Sequence, residues 1–401
     1  MSERDHRRER RDLGSGRQGR GRAISLALGL LLLAAAAGPA GAQELPGGFE
    51  LSGGVYLYHY QPLELEGVEA NSEIYALYLN VDRSEGPWTL HLQGRWRDTK
   101  LRDFFPSTTW IQEAWGSYRA PLGPDAALTL RAGKIYQRLG RFWDGSFFGN
   151  LHYFDGLKLD PDFGVEASLN TPLGGAGAEA ELWAQGLVDS DRINGALAGR
   201  DLEGEEDRRE RGVAGGLRVA APVARPGGRE LRLAVGVSGL VERVEATAGA
   251  EAPEASATLP HAAVDVEARW GPAVAYAEWM RRASGGLSEL GRLAGEGGAA
   301  AAGPAGSRAT WWLTGVRVDA GPVELRYNLS TARYGDGGFR ETIHQPGITL
   351  EMADGISLLV EYDDWDRGAS GPDGSASRPP GAPPLEARLD RSLNVVLHLT
   401  F

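Results

Sequence analysis

At the end of the chain, Leu393, Val395, Leu397, Leu399 and Phe401 alternate with Ser392, Asn394, His398 and Thr400; Val396 is the one break in the pattern. A period of two sustained over about ten residues describes a strand with one apolar and one wet face. The pattern recurs. Leu157, Leu159, Phe163, Val165, Ala167 and Leu169 alternate with Lys158, Asp160, Asp162, Glu166, Ser168 and Asn170. Leu231, Leu233, Val235 and Val237 do the same against Arg232, Ala234, Gly236 and Ser238, and Val323, Leu325, Tyr327 and Leu329 against Glu324, Arg326, Asn328 and Ser330. After Ala42 no apolar run approaches the ~20 residues that a membrane helix needs. Such a chain folds as sheet. In a sandwich the apolar faces would form an inner core; in a transmembrane barrel they face lipid and the polar faces line a lumen.

The connections separate these two architectures. Short turns fall at Ser84–Gly86, Leu122–Pro124, Thr171–Gly177, Arg225–Gly228, Gly271–Pro272, Gly321–Pro322 and Asp354–Gly355. Longer polar or Gly/Ala-rich connections fall at Pro62–Asn71, Arg102–Thr108, Gly140–Phe154, Ser190–Glu210, Glu245–Leu259, Ser284–Gly306, Tyr334–Arg340 and Arg367–Leu385. Short turns alternating with long loops describe about sixteen strands, with both termini on the short-turn side, as in outer-membrane barrels. The expected fold is therefore all-β, a transmembrane antiparallel β-barrel. Trp88, Trp96, Trp110, Trp115, Trp270, Trp279 and Trp312 fall near strand ends and read as an aromatic girdle. Glu205–Arg211 (EEDRRER) reads as a solvated loop.

The N-terminus reads as an export signal: an Arg-rich leader to Arg22, the apolar run Ala23–Ala37, then Ala40-Gly41-Ala42 in the small-x-small cleavage pattern. The competing reading, a membrane anchor, fails on the length of the run and on Gly38-Pro39 at its end. Residues 1–42 are thus expected to be a signal peptide and 43–401 a barrel located in a bacterial outer membrane. Net charge is −12, although the leader itself is basic, and this argues against nucleic acid as a partner. The chain has no cysteine, which excludes disulfides, thiol catalysis and thiolate metal sites. The terminal Phe401 resembles the carboxy-terminal assembly signal of Gram-negative outer-membrane proteins, which implies recognition by the barrel-assembly machinery.

The third long connection concentrates aromatic side chains: Phe142, Trp143, Phe147, Phe148, Tyr153 and Phe154. A loop so aromatic packs against something. Its charges Arg138, Arg141, Asp144 and Asp155 would then be held at a constriction, where low-dielectric walls strengthen their field. The stretch GKIYQRLGRFWDGSFFG, the following YFDGLKLDPD strand and the C-terminal Phe together resemble Gram-negative porins, nearest the phosphate-selective O/P-type group. The resemblance implies that 140–154 folds inward and narrows a pore, and that the protein is a homotrimer. It does not extend to phosphate selectivity, which would need a ladder of basic residues; the only lysines are Lys100, Lys134 and Lys158.

Strand parity directs Arg95, Arg97, Arg131, Lys158, Arg218, Arg232, Arg317 and Arg326 inward, with Asp160, Glu166, Glu179, Glu181, Asp265, Glu267, Glu324, Glu351 and Glu361 as acidic wet-face residues. Basic residues gather on the third to fifth strands, and this arrangement predicts a transverse field; the plainer reading is polar filling of a wet interior. The histidines are scattered, and neither a metal nor a cofactor nor an enzymatic centre is expected. Small lipid-facing residues, Ala180, Ala184, Gly215 and Gly239, could pack subunits together. The function expected is a passive water-filled channel for small hydrophilic solutes or ions in outer-membrane lipid. The alternative is a closed structural or adhesive barrel.

Overall fold

The structure, a computed structural model, describes residues 42–63, 70–97, 109–141, 161–174, 177–188, 206–247, 255–283, 309–334, 339–368 and 391–401. A short β1 (Gln43–Leu45) precedes β2 (Phe49–Pro62), β3 (Asn71–Glu85), β4 (Trp88–Trp96), β5 (Thr109–Pro121), β6 (Ala127–Tyr136), β7 (Pro161–Pro172) and β8 (Glu179–Val188). The ring continues through β9 (Glu206–Ala224), β10 (Leu231–Thr247), β11 (Ala255–Trp270), β12 (Ala273–Arg282) and β13 (Ala309–Ala320). It ends with β14 (Val323–Tyr334), β15 (Phe339–Ala353), β16 (Ile356–Gly368) and β17 (Arg391–Thr400). From β2 onward each strand pairs antiparallel with the next, and β17 returns to β2 from Ser392↔Pro62 to Thr400↔Gly54. The sixteen strands β2 to β17 form a closed barrel. Each of β2 to β17 is thereby paired on both sides among the described residues.

The C-terminus and β1 share one edge of β2. Gly53 donates to the Phe401 carbonyl at 3.1 Å and accepts from the Phe401 amide at 3.0 Å. Beyond that point β1 takes over the ladder, with Gln43↔Leu51 and Leu45↔Phe49. A side chain at Gly53 would meet the Phe401 ring at 2.8 Å and the Tyr78 carbonyl at 2.6 Å, so glycine is what admits the terminal aromatic. Inside the barrel the same seam is tied by Tyr58 Oη donating to Asn394 Oδ1 at 2.9 Å and Asn394 donating to Asp363 at 2.7 Å.

Alternation assigns the faces. Leu90, Leu92, Leu130, Val165, Leu182, Val213, Val235, Val237, Val264, Val316 and Leu325 each expose between 41% and 68% of their surface. Their strand neighbours point inward and are covered. An apolar band this continuous is the lipid-facing surface of a membrane barrel. The seven expected turns fall between consecutive paired strands, residues 175–176 of Thr171–Gly177 lying outside the described residues. Val396, the apparent break in the last strand, points inward and is 1% exposed.

Two boundaries differ from the sequence expectation. The charged run Glu205–Arg211 is largely strand, because β9 begins at Glu206 and pairs with β10 out to Glu206↔Thr247. Likewise, β10 and β11 extend through much of Glu245–Leu259. These strands, at 19, 17 and 16 residues, are longer than the ~10 that cross a bilayer, so their ladders continue past the membrane.

The facing of each strand is testable by substitution. Val237→Arg places a charge on the lipid-facing side and is expected to cost about 2–4 kcal/mol. The inward substitution Arg232→Gln should cost far less. Urea titration of the lipid-refolded barrel, read by the heat-modifiable gel shift, compares the two; equal losses would contradict the assignment.

Candidate functional site

The inner wall divides into two sectors of different chemistry. The first spans β2 to β6 with β17 and is aromatic and basic. Tyr56 stacks on His398 with ring centres 4.1 Å apart and on Tyr78 at 5.6 Å, and Tyr78 Oη lies 3.0 Å from His398 Nε2. Arg95 points inward, its Nε donating to Gln93 at 2.8 Å. Arg97 is buried, with its guanidinium 4.6 Å over Tyr75 and 5.0 Å over Trp110. Arg131 lies 4.4 Å over Trp115. Stacking leaves guanidinium charge in place while shielding one face from water.

Arg95 and Arg131 form no ion pair among the described residues. Glu166 stands opposite Arg131 in the register but turns to Gln185 (2.7 Å) and Arg138 (3.5 Å). Two carboxylates of this sector are engaged elsewhere: Asp82 with His91 at 2.7 Å, and Glu113 with the Trp115 indole at 3.2 Å. These two arginines thus keep their charge uncompensated by an ion pair among the described residues.

The second sector, β7 to β16, is interlocked. Arg326 reaches Glu361 at 2.8 Å, both almost fully buried. Arg218 pairs with Asp265, Arg232 with Glu179 at 2.7 Å, and His261 with Glu242 at 2.7 Å. Above them lies an apolar cluster that includes Leu240, Met280, Trp311 and Ile343. These ions sit in pairs, and Glu166, Glu181, Glu267 and Glu278 remain to meet charges from elsewhere in the chain.

Across this second sector runs the chain that leaves β6. Arg138 pairs with Glu181 at 2.8 Å and stacks 4.8 Å over Trp183, while its backbone N–H donates to Gln185 at 2.8 Å. Leu139 enters the apolar cluster. Gly140 N–H donates to Ser238 at 2.8 Å, and Arg141 donates from its backbone to Glu278 and from its guanidinium to Glu267. Arg141 also lies 4.0 Å over the Tyr276 ring. Thus Arg138–Arg141 departs from the wall at β6 and rests on the inner faces of β7, β8 and β10 to β12. Gly140 has φ +62°, and a Cβ there would strike the Glu278 carboxylate, so glycine meets both a conformational and a steric need.

Of the residues expected in the lumen, Arg95, Arg97, Arg131, Arg138, Arg141 and Glu166 point inward. Asp144, Asp155, Lys158 and Asp160 lie outside the described residues. Trp110 and Trp115 are a correction: they lie inward beneath Arg97 and Arg131, not in the outer girdle, because a register shift in β5 between the partners of Gln93 and Gly94 changes its phase. The adjacent Asp363 and Asp364 face opposite sides; Asp363 bonds Asn394 and Gln345, and Asp364 pairs with Arg391 at 3.0 Å. Sequence reading missed Glu278, Glu242–His261 and the inner apolar cluster. In β12 (AVAYAEWMRR) both faces carry apolar residues, so alternation gave no phase.

No family model and no curated protein matches the chain. Its fold is matched among solved structures. The outer membrane channel DcaP of Acinetobacter baumannii aligns at TM-score 0.52 and 12% identity, over 90% of this chain and 99% of that one. OmpF of Salmonella typhi, solved as a complex with daunomycin, aligns at 0.53 and 9%, over 88% and 97%. An anion-selective porin from Comamonas acidovorans aligns at 0.52 and 9%, over 88% and 99%. At such identities the likeness is one of fold: a Gram-negative, porin-like, sixteen-stranded barrel. With its lipid-facing apolar band, this barrel is located in the bacterial outer membrane.

The hold on the segment leaving β6 can be measured. Gly140→Val forces a β-branched residue into positive φ against Glu278 and is expected to lower barrel stability by about 1–3 kcal/mol. Urea unfolding against the parent protein checks this; an unchanged midpoint would mean the segment is not anchored there.

Proposed function

We propose that the protein is a passive, water-filled outer-membrane channel for small hydrophilic solutes or ions, and not an enzyme. The observation that carries this reading is the course of Arg138–Arg141 off the wall and onto the opposite inner face. A segment fastened there narrows the lumen, and we take 140–154 as an inward-folded constriction. It faces a wall bearing Arg95, Arg97 and Arg131, so a solute passing between them meets an asymmetric field. The likeness to the phosphate-selective group rests on the Gly133–Gly149 stretch, and the paucity of lysine argues for general or weakly selective permeation.

The same reading treats 1–42 as a cleaved signal peptide and Phe401 as the contact for the assembly machinery. It also makes the protein a homotrimer. Ala184, Gly215 and Gly239 form one outward register row on β8 to β10, a flat surface on which a second barrel could pack.

A closed structural or adhesive barrel is the second reading. One observation favours it: inward-facing Asn328, Glu361 and Asn394 are 0% exposed, as in a filled interior.

Conductance of the purified protein in a planar bilayer under a salt gradient separates the two. Stable ohmic steps are expected; folded, inserted protein without steps would establish the closed barrel. Reversing Arg95, Arg97 and Arg131 to Glu should move the reversal potential toward cation preference. An unmoved potential would remove that wall from the mechanism.

A further inference from the structure

On the outer surface, the rim reached by the long connections carries arginines where lipid-facing residues belong. Arg281 on β12, Arg333 on β14 and Arg340 on β15 each sit one residue in from the strand end, and all three are exposed. Parity places them outward, because their neighbours Arg282, Ala332 and Glu341 are buried on the inner face. The register puts them in one row: Arg281↔Thr310, Thr310↔Arg333 and Arg333↔Arg340.

Three further observations converge on this row. Arg333 and Arg340 are directly opposed across two strands, an arrangement of like charges that is destabilising without a counterion. None of the three arginines has an ion-pair partner among the described residues; Asp366, on the next strand, is in register with Thr342 instead. Two residues further into the membrane lies Trp279 opposite Trp312, with ring centres 6.3 Å apart and Trp312 half exposed. Paired outward tryptophans mark the boundary between hydrocarbon and headgroups, so the arginines stand at headgroup level.

The opposite rim of these strands provides the contrast. Its outward ends carry Trp270, Ala273, Ala320, Val323, Leu350 and Ile356, without a charge. The cationic row is confined to the side with long connections, which is the cell-surface side of such barrels. Guanidinium groups spaced along neighbouring strands suit phosphate, which accepts two parallel N–H bonds from each.

We propose that Arg281, Arg333 and Arg340 form a binding site for the phosphate groups of a glycolipid in the outer leaflet. The site depends on the outer-membrane location and not on whether the lumen conducts. Thr310 adds a hydroxyl between Arg281 and Arg333, and the Trp279–Trp312 pair supports the acyl-chain side of the headgroup.

The test uses the full barrel in phosphatidylcholine nanodiscs doped with lipid A, with bound lipid counted by native mass spectrometry. The triple variant Arg281→Gln/Arg333→Gln/Arg340→Gln is expected to lose lipid A affinity roughly tenfold or more, and Arg333→Gln alone a smaller part of it. The lumenal variant Arg232→Gln should bind as the parent does, and millimolar inorganic phosphate should not displace the lipid. Undiminished binding by either rim variant that retains the gel shift of a folded barrel would overturn the proposal. Displacement by inorganic phosphate would overturn it in favour of a free-phosphate site. A change in subunit number at constant lipid A binding would make the row a subunit interface instead.

Discussion

A peptide group left unpaired in hydrocarbon costs several kcal/mol, and this one cost governs the architecture. It requires the sheet to close, and closure makes the meeting of β2 and β17 the most constrained place in the molecule. The C-terminus and β1 resolve it together. Phe401 completes the ladder at Gly53, β1 continues it to Phe49, and the Tyr58–Asn394–Asp363 network binds the seam from within. The terminal aromatic is held by backbone bonds and by the space that Gly53 leaves for its ring.

Closure also creates two surfaces with opposite requirements on one strand. Outward positions need only be apolar, and Val, Leu and Ala fill them with little specificity. Inward positions must settle charges inside a partly enclosed space, where an unpartnered ion is expensive. The two sectors of the wall settle them differently. From β7 to β16 the carboxylates named above are paired, several of them with Arg138 and Arg141 from the segment leaving β6. From β4 to β6 the guanidinium groups rest on Tyr75, Trp110 and Trp115, which stabilises them without cancelling their charge. Aromatic support is what lets a wall stay positive.

Legibility in the sequence follows the same division. The outward face was readable because lipid imposes a uniform demand, so Leu231–Ser238, Ser392–Phe401 and the described part of Leu157–Asn170, from Pro161 onward, announced strand, face and phase. Turns were readable because they need Gly, Pro or polar residues at short spacing. The inner face was readable where it is charged, at Arg95, Arg97, Arg131 and Glu166. It was opaque on β12, where Tyr276 and Met280 point inward as apolar as their outward neighbours, and at Trp110 and Trp115, where an irregular register moves the phase by one. Contacts such as Arg141 with Glu267 join residues far apart in sequence, and no local pattern encodes them.

The anchoring of Arg138–Arg141 follows from that difference between sectors. A segment can be held across a lumen only by a surface that offers fixed partners, and the ion-paired sector supplies them: Glu166 and Glu181 to Arg138, Ser238 to Gly140, Glu267 and Glu278 to Arg141. The aromatic–basic sector would repel both arginines. The segment therefore settles on the acidic side and consumes its charge, while the opposite wall keeps Arg95 and Arg131 unpaired. The residues that rest on the inner wall and the arginines that have no ion pair among the described residues are thus selected by one electrostatic preference, expressed on two walls of a single sheet.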